Sequence, residues 1–401
     1  MDDKICAYPW VLVSVGSIGN LRPCCNAINA DIEEIPGKVA KIAEKENYSI
    51  DSLLGNYTHE ELRKSMLNNE EHPMCSRCWK MESAGIQSFR HHVNRHHPEA
   101  LKMIREQRSE KPLRVERIEF DLGRKCNLRC RMCSPWSSSL ISKELTAHPE
   151  SKEYYGDFNE FDDWVNFVDI KEIIKPHIDT IREIYLIGGE PLIIDAHEKL
   201  LDYLVESGAS SKILLVYNTN GITLKPKFIE QWSKFRTVQM NVSIDGIGKY
   251  YDYIRNPAKW ETIEKNIDNL LEQIKDYPNI LCGVSTTLQN LTVPCIFDLI
   301  LWCDRKNLKV NVLPVNHPTF LQPDVMPEGK YDQFIEEMKS NLHHFNLNDR
   351  TAKEVVMYLE GNRKNLGNIE LQKTFVKKQK LLDSIRNQDL FSIHPWVKDI
   401  V

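Results

Sequence analysis

The chain has 401 residues, 41% hydrophobic and 27% charged, which supplies a sizeable core and argues against global disorder. Its net charge of −5 argues against a protein that coats nucleic acid by bulk charge, though not against a local basic groove. No apolar run approaches the roughly 18 residues of a membrane helix. The opening MDDKICAYPW lacks the basic stretch and apolar core of a signal peptide, so a cytoplasmic protein with no membrane partner is expected. At roughly 150 residues per domain, the length suits two or three domains.

Residues 1–110 differ in character from the rest. A β-prone run, Trp10 to Val15, meets a turn at Gly16–Asn20 and then Pro23-Cys24-Cys25, the pattern of a hairpin. Thr58-His59-Glu60-Glu61 reads as a capping box opening a helix through about Leu67. Cys75 and Cys78 follow, then a polar helix with Arg90-His91-His92 and Arg95-His96-His97. Those doublets fit a metal site or, better, a solvated basic face.

From about residue 114 the pattern alternates strand and helix. The candidate strands are Val115–Leu122, Glu183–Ile187, Ile213–Tyr217, Val238–Ile244, Ile280–Leu288 and Val310–Val315. The clearest helix is 259–277, with Trp260, Ile263, Ile267, Leu270, Leu271 and Ile274 on one stripe. Six such units imply a parallel sheet with right-handed crossovers. After Pro323 the chain turns helical and polar, over 329–345, 350–362 and 370–388.

Eight of the eleven cysteines lie in the first third of the chain. In a reduced compartment such clusters point to metal ligands or redox groups rather than disulfides. Cys282, Cys295 and Cys303 stand singly in apolar stretches and read as core. Trp136, Tyr154, Tyr155 and Trp164 lie beyond the third clustered loop; most should pack inside and one could border a substrate.

Cys126-Asn-Leu-Arg-Cys130-Arg-Met-Cys133 directly follows the first βα strand. Three thiolates at this spacing can hold three irons of a 4Fe–4S cube and leave the fourth without a protein ligand. A zinc site short of one ligand, or chance, is the alternative. This CxxxCxxC, in this place, resembles the radical S-adenosylmethionine (SAM) superfamily. The resemblance implies an open iron that chelates the amino and carboxylate groups of SAM's methionine. It also implies reductive cleavage to a 5′-deoxyadenosyl radical that takes a hydrogen atom from substrate. The residue before the third cysteine is commonly aromatic in that family; here it is Met132, apolar and adaptable.

Other positions resemble the family's SAM contacts. Gly188-Gly189-Glu190-Pro191 follows the second βα strand and resembles the GGE motif that meets the methionine amino group. Glycines permit close backbone approach, and a carboxylate accepts from an ammonium; an ordinary turn is the alternative. Ser243 resembles the ribose-contacting serine, or else caps a turn in Ser243-Ile244-Asp245-Gly246. Arg255 resembles an arginine that contacts the SAM carboxylate, with a plain surface arginine nearly as good a reading. Asn218, opening Asn218-Thr219-Asn220-Gly221 at a strand end, faces the same mouth or forms a plain turn.

Cys6, Gly19-x4-Cys24 and Cys75-x2-Cys78 make a four-thiolate set, which by spacing alone suits zinc. The set resembles the SPASM and twitch modules of radical SAM enzymes, implying one auxiliary 4Fe–4S cluster on Cys6, Cys24, Cys75 and Cys78. Cys25 is an alternative to Cys24. The module precedes the barrel, where the family places it after, and the later cysteines of a full SPASM module are absent.

The expected fold is α/β: a partial (β/α)6 barrel over 111–320, an N-terminal iron–sulfur module over 1–110 and a helical C-terminal extension over 321–401. The expected function is SAM-dependent radical chemistry on a peptide or protein, by oxidation or crosslinking, fed by a reductant such as flavodoxin or ferredoxin. A nucleotide or sugar-like small molecule is the alternative substrate. Outside that class stand a two-cluster electron carrier or Fe–S sensor, and a zinc-binding interaction protein. No residue is singled out as a catalytic acid or base.

Overall fold

The computed structural model describes residues 3–27, 40–83, 85 and 87–400. The chain forms two compact units. The first holds residues 1–123, 161–216 and 234–237; the second holds 124–160, 217–233 and 238–401. This division by contacts cuts elsewhere than the segments 1–110, 111–320 and 321–401, which divide the chain by sequence character.

In the first unit the expected strand at Trp10 begins late. Pro9 has no amide to give a ladder and its fixed φ suits a first helical turn. Tyr8–Val11 therefore closes one turn of helix, and β1 is Leu12–Val15. The hairpin is present: β1 pairs antiparallel with β2 (Leu21–Arg22), in register Ser14↔Arg22. Gly19 sits at φ 79°, and a Cβ there would lie 2.9 Å from Trp164 Cβ. The hairpin is no separate appendage, because β1 also pairs in parallel with β3 (Arg117–Asp121), from Leu12↔Arg117 to Val15↔Phe120. β3 pairs in parallel with β4 (Glu183–Ile187) up to Asp121↔Ile187. Ile118, Phe120, Ile184 and Leu186 are fully buried.

The helix Tyr57–Leu67 is capped by Asn56, whose side chain accepts from the His59 amide, so the cap falls before the expected Thr58 box. Its buried face, Leu62 and Met66, joins Ile5, Trp10, Val11, Val93 and Ile104 in one apolar cluster. The solvated basic face is present in part: His92, Arg95 and His96 are exposed and His91 is half-buried, but Arg90 and His97 are buried. Pro98 divides the segment into helices Phe89–His96 and Pro98–Gln107. Arg90 is buried on Glu82, and the His97 ring lies 2.8 Å from Glu116.

β5 (Leu214–Thr219) crosses from one unit to the other. In the second unit β6 (Thr237–Ser243), β7 (Ile280–Leu288) and β8 (Lys309–Pro314) pair in parallel, with Ser243↔Ser285 and Val284↔Val310 in register. All six strands expected after residue 114 are present, Glu183–Ile187 and Ile280–Leu288 with the expected ends and the other four shifted by one or two residues. The helix Trp260–Ile274 buries Ile263, Ile267, Leu270 and Ile274, as its stripe requires. Cys295 and Cys303 are core; Cys282 is only half-buried. The tail helices Glu328–Ser340, Asp349–Gly361 and Ile369–Arg386 are not merely solvated. Tyr331, Leu359, Phe375 and Leu382 join the same apolar cluster as Val242, Ile263 and Val284. Among the described residues no helix is long and apolar enough to cross a membrane.

Candidate functional site

The three cysteines lie on an irregular loop before the helix Ser139–Ala147. Ser138 caps that helix and donates its hydroxyl to the Leu128 carbonyl at 2.6 Å. The Cys126 amide points at Ser139 Oγ, 3.3 Å away, and the Leu128 amide at Cys126 Sγ, 3.4 Å away. The middle of the loop is strapped by backbone: the Arg129 amide donates to Asn256 at 2.7 Å and the Arg131 amide to Ile254 at 3.0 Å. This strap spans Cys130 and runs on both sides of Arg255.

Arg255 is therefore no surface arginine. It is buried, its Nη2 lies 2.6 Å from Asp245 Oδ2, and its Nη1 lies 3.8 Å from Cys130 Sγ. Asp245 is fixed in turn by the Thr287 amide at 2.6 Å, which ties the end of β6 to β7. The hydrogen bond from Cys133 and then the Arg255 charge hold Cys130 below the usual thiol range, while that same hydrogen bond and burial push Cys133 up. A buried thiolate is thereby favoured at Cys130. Arg255 Nε and the Tyr251 hydroxyl are buried with no hydrogen-bond partner, an arrangement open to a polar ligand.

Met132 is half-buried, packed with Cys126 and Cys133 against the large apolar cluster. Asn218 is half-buried on β5, and Ser243 is half-buried as the last residue of β6. Asn220 donates to Asn127 Oδ1 at 2.7 Å and so holds the cysteine loop directly. Sequence reasoning names Asn220 and Asp245 only as members of turn motifs and gives Asn127 and Arg131 no role. Their signal was only the polar turn vocabulary at two strand ends, which does not say what a turn will hold.

In the first unit Gly188 has φ 133°, a region that favours glycine. A Cβ there would sit 2.9 Å from both the Gly123 carbonyl oxygen and the Leu122 amide. The Gly189 amide donates to that same Gly123 oxygen at 2.6 Å. The ends of β3 and β4 are thus locked side by side. Glu190 is buried, and its Oε1 caps the Leu192 amide at 3.1 Å. The turn reading and the ligand reading of this motif are compatible, since the carboxylate is oriented by its own cap.

The N-terminal thiols also meet. Cys6, Cys24, Cys75 and Cys78 line one pocket, together with Tyr8, Met66, Met74 and Phe89. Cys25 does not line it; its thiol lies against Glu119 and Arg117. Cys6 is placed by Asn94, which accepts from the Ala7 amide at 3.0 Å and donates to the Ile5 carbonyl at 2.8 Å. Arg90 adds a bond to the same Ile5 carbonyl at 3.0 Å. Cys75 ends a 3-10 turn and Cys78 lies on the helix Ser76–Ser83 that follows. Burial pushes the Cys6 thiol up to about 12 and raises Cys24 and Cys75 as well. Thiols so raised become thiolates against strong positive charge, which coordinated iron supplies. The donor set thus fits a metal cluster in chemistry. Among the described residues no three His, Cys, Asp or Glu side chains converge on the point a single ion would occupy; both cysteine groups are looser than that.

Residues 120–293 match the family model of the Radical SAM superfamily. This stretch is similar to the radical SAM domains of that superfamily. Proteins of that superfamily are enzymes that use a 4Fe–4S cluster and SAM, and the match contains the three-cysteine loop, Gly188–Glu190, Ser243 and Arg255. Molybdenum cofactor biosynthesis protein 1 of Dictyostelium discoideum is 22% identical over 227 residues, 51% of this chain and 33% of its own length. The chain thus spans about a third of that curated relative. Among solved structures, Streptococcus suis SuiB bound to the precursor peptide SuiA superposes with a TM-score of 0.41 at 12% identity, over 71% of this chain and 63% of that one. Native anSMEcpe with bound AdoMet gives 0.39 at 15% identity, over 65% and 66%. The matched stretch accounts for 174 of the 401 residues, 120 to 293 inclusive; the N-terminal thiol pocket and the tail lie outside it.

Proposed function

We propose that this chain is a SAM-dependent radical enzyme that oxidises or crosslinks a peptide or protein. One observation carries the reading: Cys126, Cys130 and Cys133 share a strapped loop, with the buried Arg255–Asp245 pair set against Cys130. A solvent-facing carrier has no use for a buried, part-unpartnered arginine beside its thiolates.

With a 4Fe–4S cluster on these thiols and SAM bound, the site supplies an electron that splits SAM to methionine and a 5′-deoxyadenosyl radical for hydrogen abstraction. The chain's own residues bind and orient. Glu190 is the acceptor for the methionine ammonium, and Gly188 and Gly189 keep side chains out of its way. Arg255 offers its Nε towards a carboxylate. Ser243 and Asn218 supply polar groups for the ribose side, and Met132 an apolar contact for the adenine. Cys6, Cys24, Cys75 and Cys78 would hold a second 4Fe–4S cluster, and with four thiolates for ligands it would supply electron transfer. A flavodoxin or ferredoxin is the matching reductant.

The peptide reading is supported by the resemblance of the N-terminal cysteine set to twitch modules. The Dictyostelium relative favours a second reading, because it is named for cofactor biosynthesis; the substrate is then a nucleotide or sugar-like small molecule. The test is 5′-deoxyadenosine formation by the anaerobically iron-loaded chain with a chemical reductant. Deuterium transfer into that product from labelled peptides, or from labelled nucleotides, separates the two substrates. Iron loading with no SAM binding by equilibrium dialysis would overturn the enzyme in favour of a carrier.

A further inference from the structure

The C-terminal extension lies beyond the matched stretch, yet within the second unit it reaches the cysteine loop. Arg131, between Cys130 and Cys133, is fully buried. Its Nη1 donates to Gln379 Oε1 at 2.6 Å, and its Nη2 to Asp383 Oδ1 at 2.5 Å and Gln388 Oε1 at 2.9 Å. Its Nε donates to the Tyr253 carbonyl at 3.1 Å, and the guanidinium lies 3.6 Å over the Tyr253 ring. Gln379 also donates to the Tyr154 hydroxyl, which itself donates to the Arg131 carbonyl at 2.7 Å.

Arg129, on the other side of Cys130, is held the same way at one remove. Its Nη1 lies 2.8 Å from Glu144 Oε2, and its Nε donates to Asn256 at 2.8 Å. Glu144 is fully buried and is gripped from the tail by Arg386 Nε and Nη2 at 3.0 and 2.8 Å. Burial opposes its charge, but Arg386 and Arg129 hold the carboxyl below its usual range. Buried charges are costly unless every partner is present, so a network of this kind accepts one arrangement and resists others.

We propose that the helix Ile369–Arg386 and Gln388 just after it are a positioning device for the three-cysteine loop, fixing the backbone on both sides of Cys130. Gln379, Asp383 and Gln388 act through Arg131; Arg386 acts through Glu144 and Arg129. All are positioning residues. The inference rests on the reading of the loop as the cluster site.

The test is Asp383→Asn in the full iron-loaded chain. It keeps the side-chain volume and removes the charge opposite Arg131. Partners that orient metal ligands are worth on the order of tenfold in metal retention or activity. We expect iron loss to a chelator to be about tenfold faster for the loop's cluster, its electron paramagnetic resonance line shape to change, and kcat for SAM cleavage to fall while KM for SAM stays put. Exposed Ser384→Ala on the same helix should match wild type. If Asp383→Asn fails to fold, Gln379→Leu and Gln388→Leu each remove one hydrogen bond to Arg131, along with that glutamine's other bonds, and should give the same changes at smaller size. Wild-type line shape and chelation rate in these variants would overturn the proposal. If instead the wild-type loop holds no iron, the cluster reading fails by itself. Alkylation of Cys130 in the iron-free full chain then reads the clamp alone: faster in Asp383→Asn sustains it, an unchanged rate overturns it.

Discussion

In the N-terminal pocket four thiols come from stretches as far apart as Cys6 and Cys78, whereas in the loop 126–133 three come from eight consecutive residues. The pocket is walled mainly by the apolar Tyr8, Met66, Met74 and Phe89, with Arg90 and Asn26 its polar lining, and burial raises its thiols more than Arg90 lowers them. The loop packs against the large apolar cluster too, but it also carries three ion pairs: Arg255 with Asp245, Arg131 with Asp383 and Arg129 with Glu144. An apolar wall makes neutral thiols comfortable and leaves metal charge as the reason for their deprotonation. Paired buried charges fix one backbone path for the loop. The pocket therefore suits a closed electron-transfer site and the loop a site that must also present a ligand position.

The largest effect should come from the loop. Cys126, Cys130 and Cys133 all changed to Ala should abolish SAM cleavage and remove about half of roughly eight irons per chain, by iron assay and product chromatography. Retained cleavage in that variant would end the radical reading and, with it, the contrast.

The pocket should break differently. Cys75→Ala with Cys78→Ala should leave uncoupled SAM cleavage measurable but abolish substrate product. It should also loosen residues 1–80, seen as faster proteolysis there, because the ligands tie distant segments together. Normal turnover would make the pocket structural only, and metal analysis of the wild type would then separate iron from zinc.

Glu190→Ala should weaken SAM binding by roughly ten- to a hundredfold, the worth of a charge-assisted hydrogen bond of about 1.5–3 kcal/mol. Equilibrium dialysis measures it. An unchanged dissociation constant would leave Glu190 as the cap of the Pro191–Ile193 turn and nothing more.

The smallest effect sharpens the ligand set of the pocket. Cys25→Ser should leave iron content and SAM cleavage at wild-type levels, since Cys25 faces Glu119 and Arg117. Loss of about four irons would make it a ligand in place of Cys24.

Strand and helix alternation after residue 114 was legible because buried parallel strands and the stripe of Trp260–Ile274 leave a hydrophobic period in the chain. The strand at Trp10 was misplaced because one proline outweighed a β-prone run. The three helices of the polar tail were legible, but what they hold was not, because Gln379, Asp383 and Arg386 are polar residues buried against partners far away in sequence, and no local period reveals a partner. His97 and Arg90 looked solvated for the same reason.

By itself the sequence placed three cysteines within eight residues of one loop, and it carried the glycine of Gly188, since only that residue fits a positive-φ turn pressed against Gly123. Only the tertiary structure decided that Cys24 rather than Cys25 lines the pocket, that Arg255 is buried on Asp245, and that the last helix reaches Arg131. The physical reason is range. Spacing along a chain fixes what neighbours in sequence can do together, whereas a buried charge takes its meaning from whichever partner the fold brings to it.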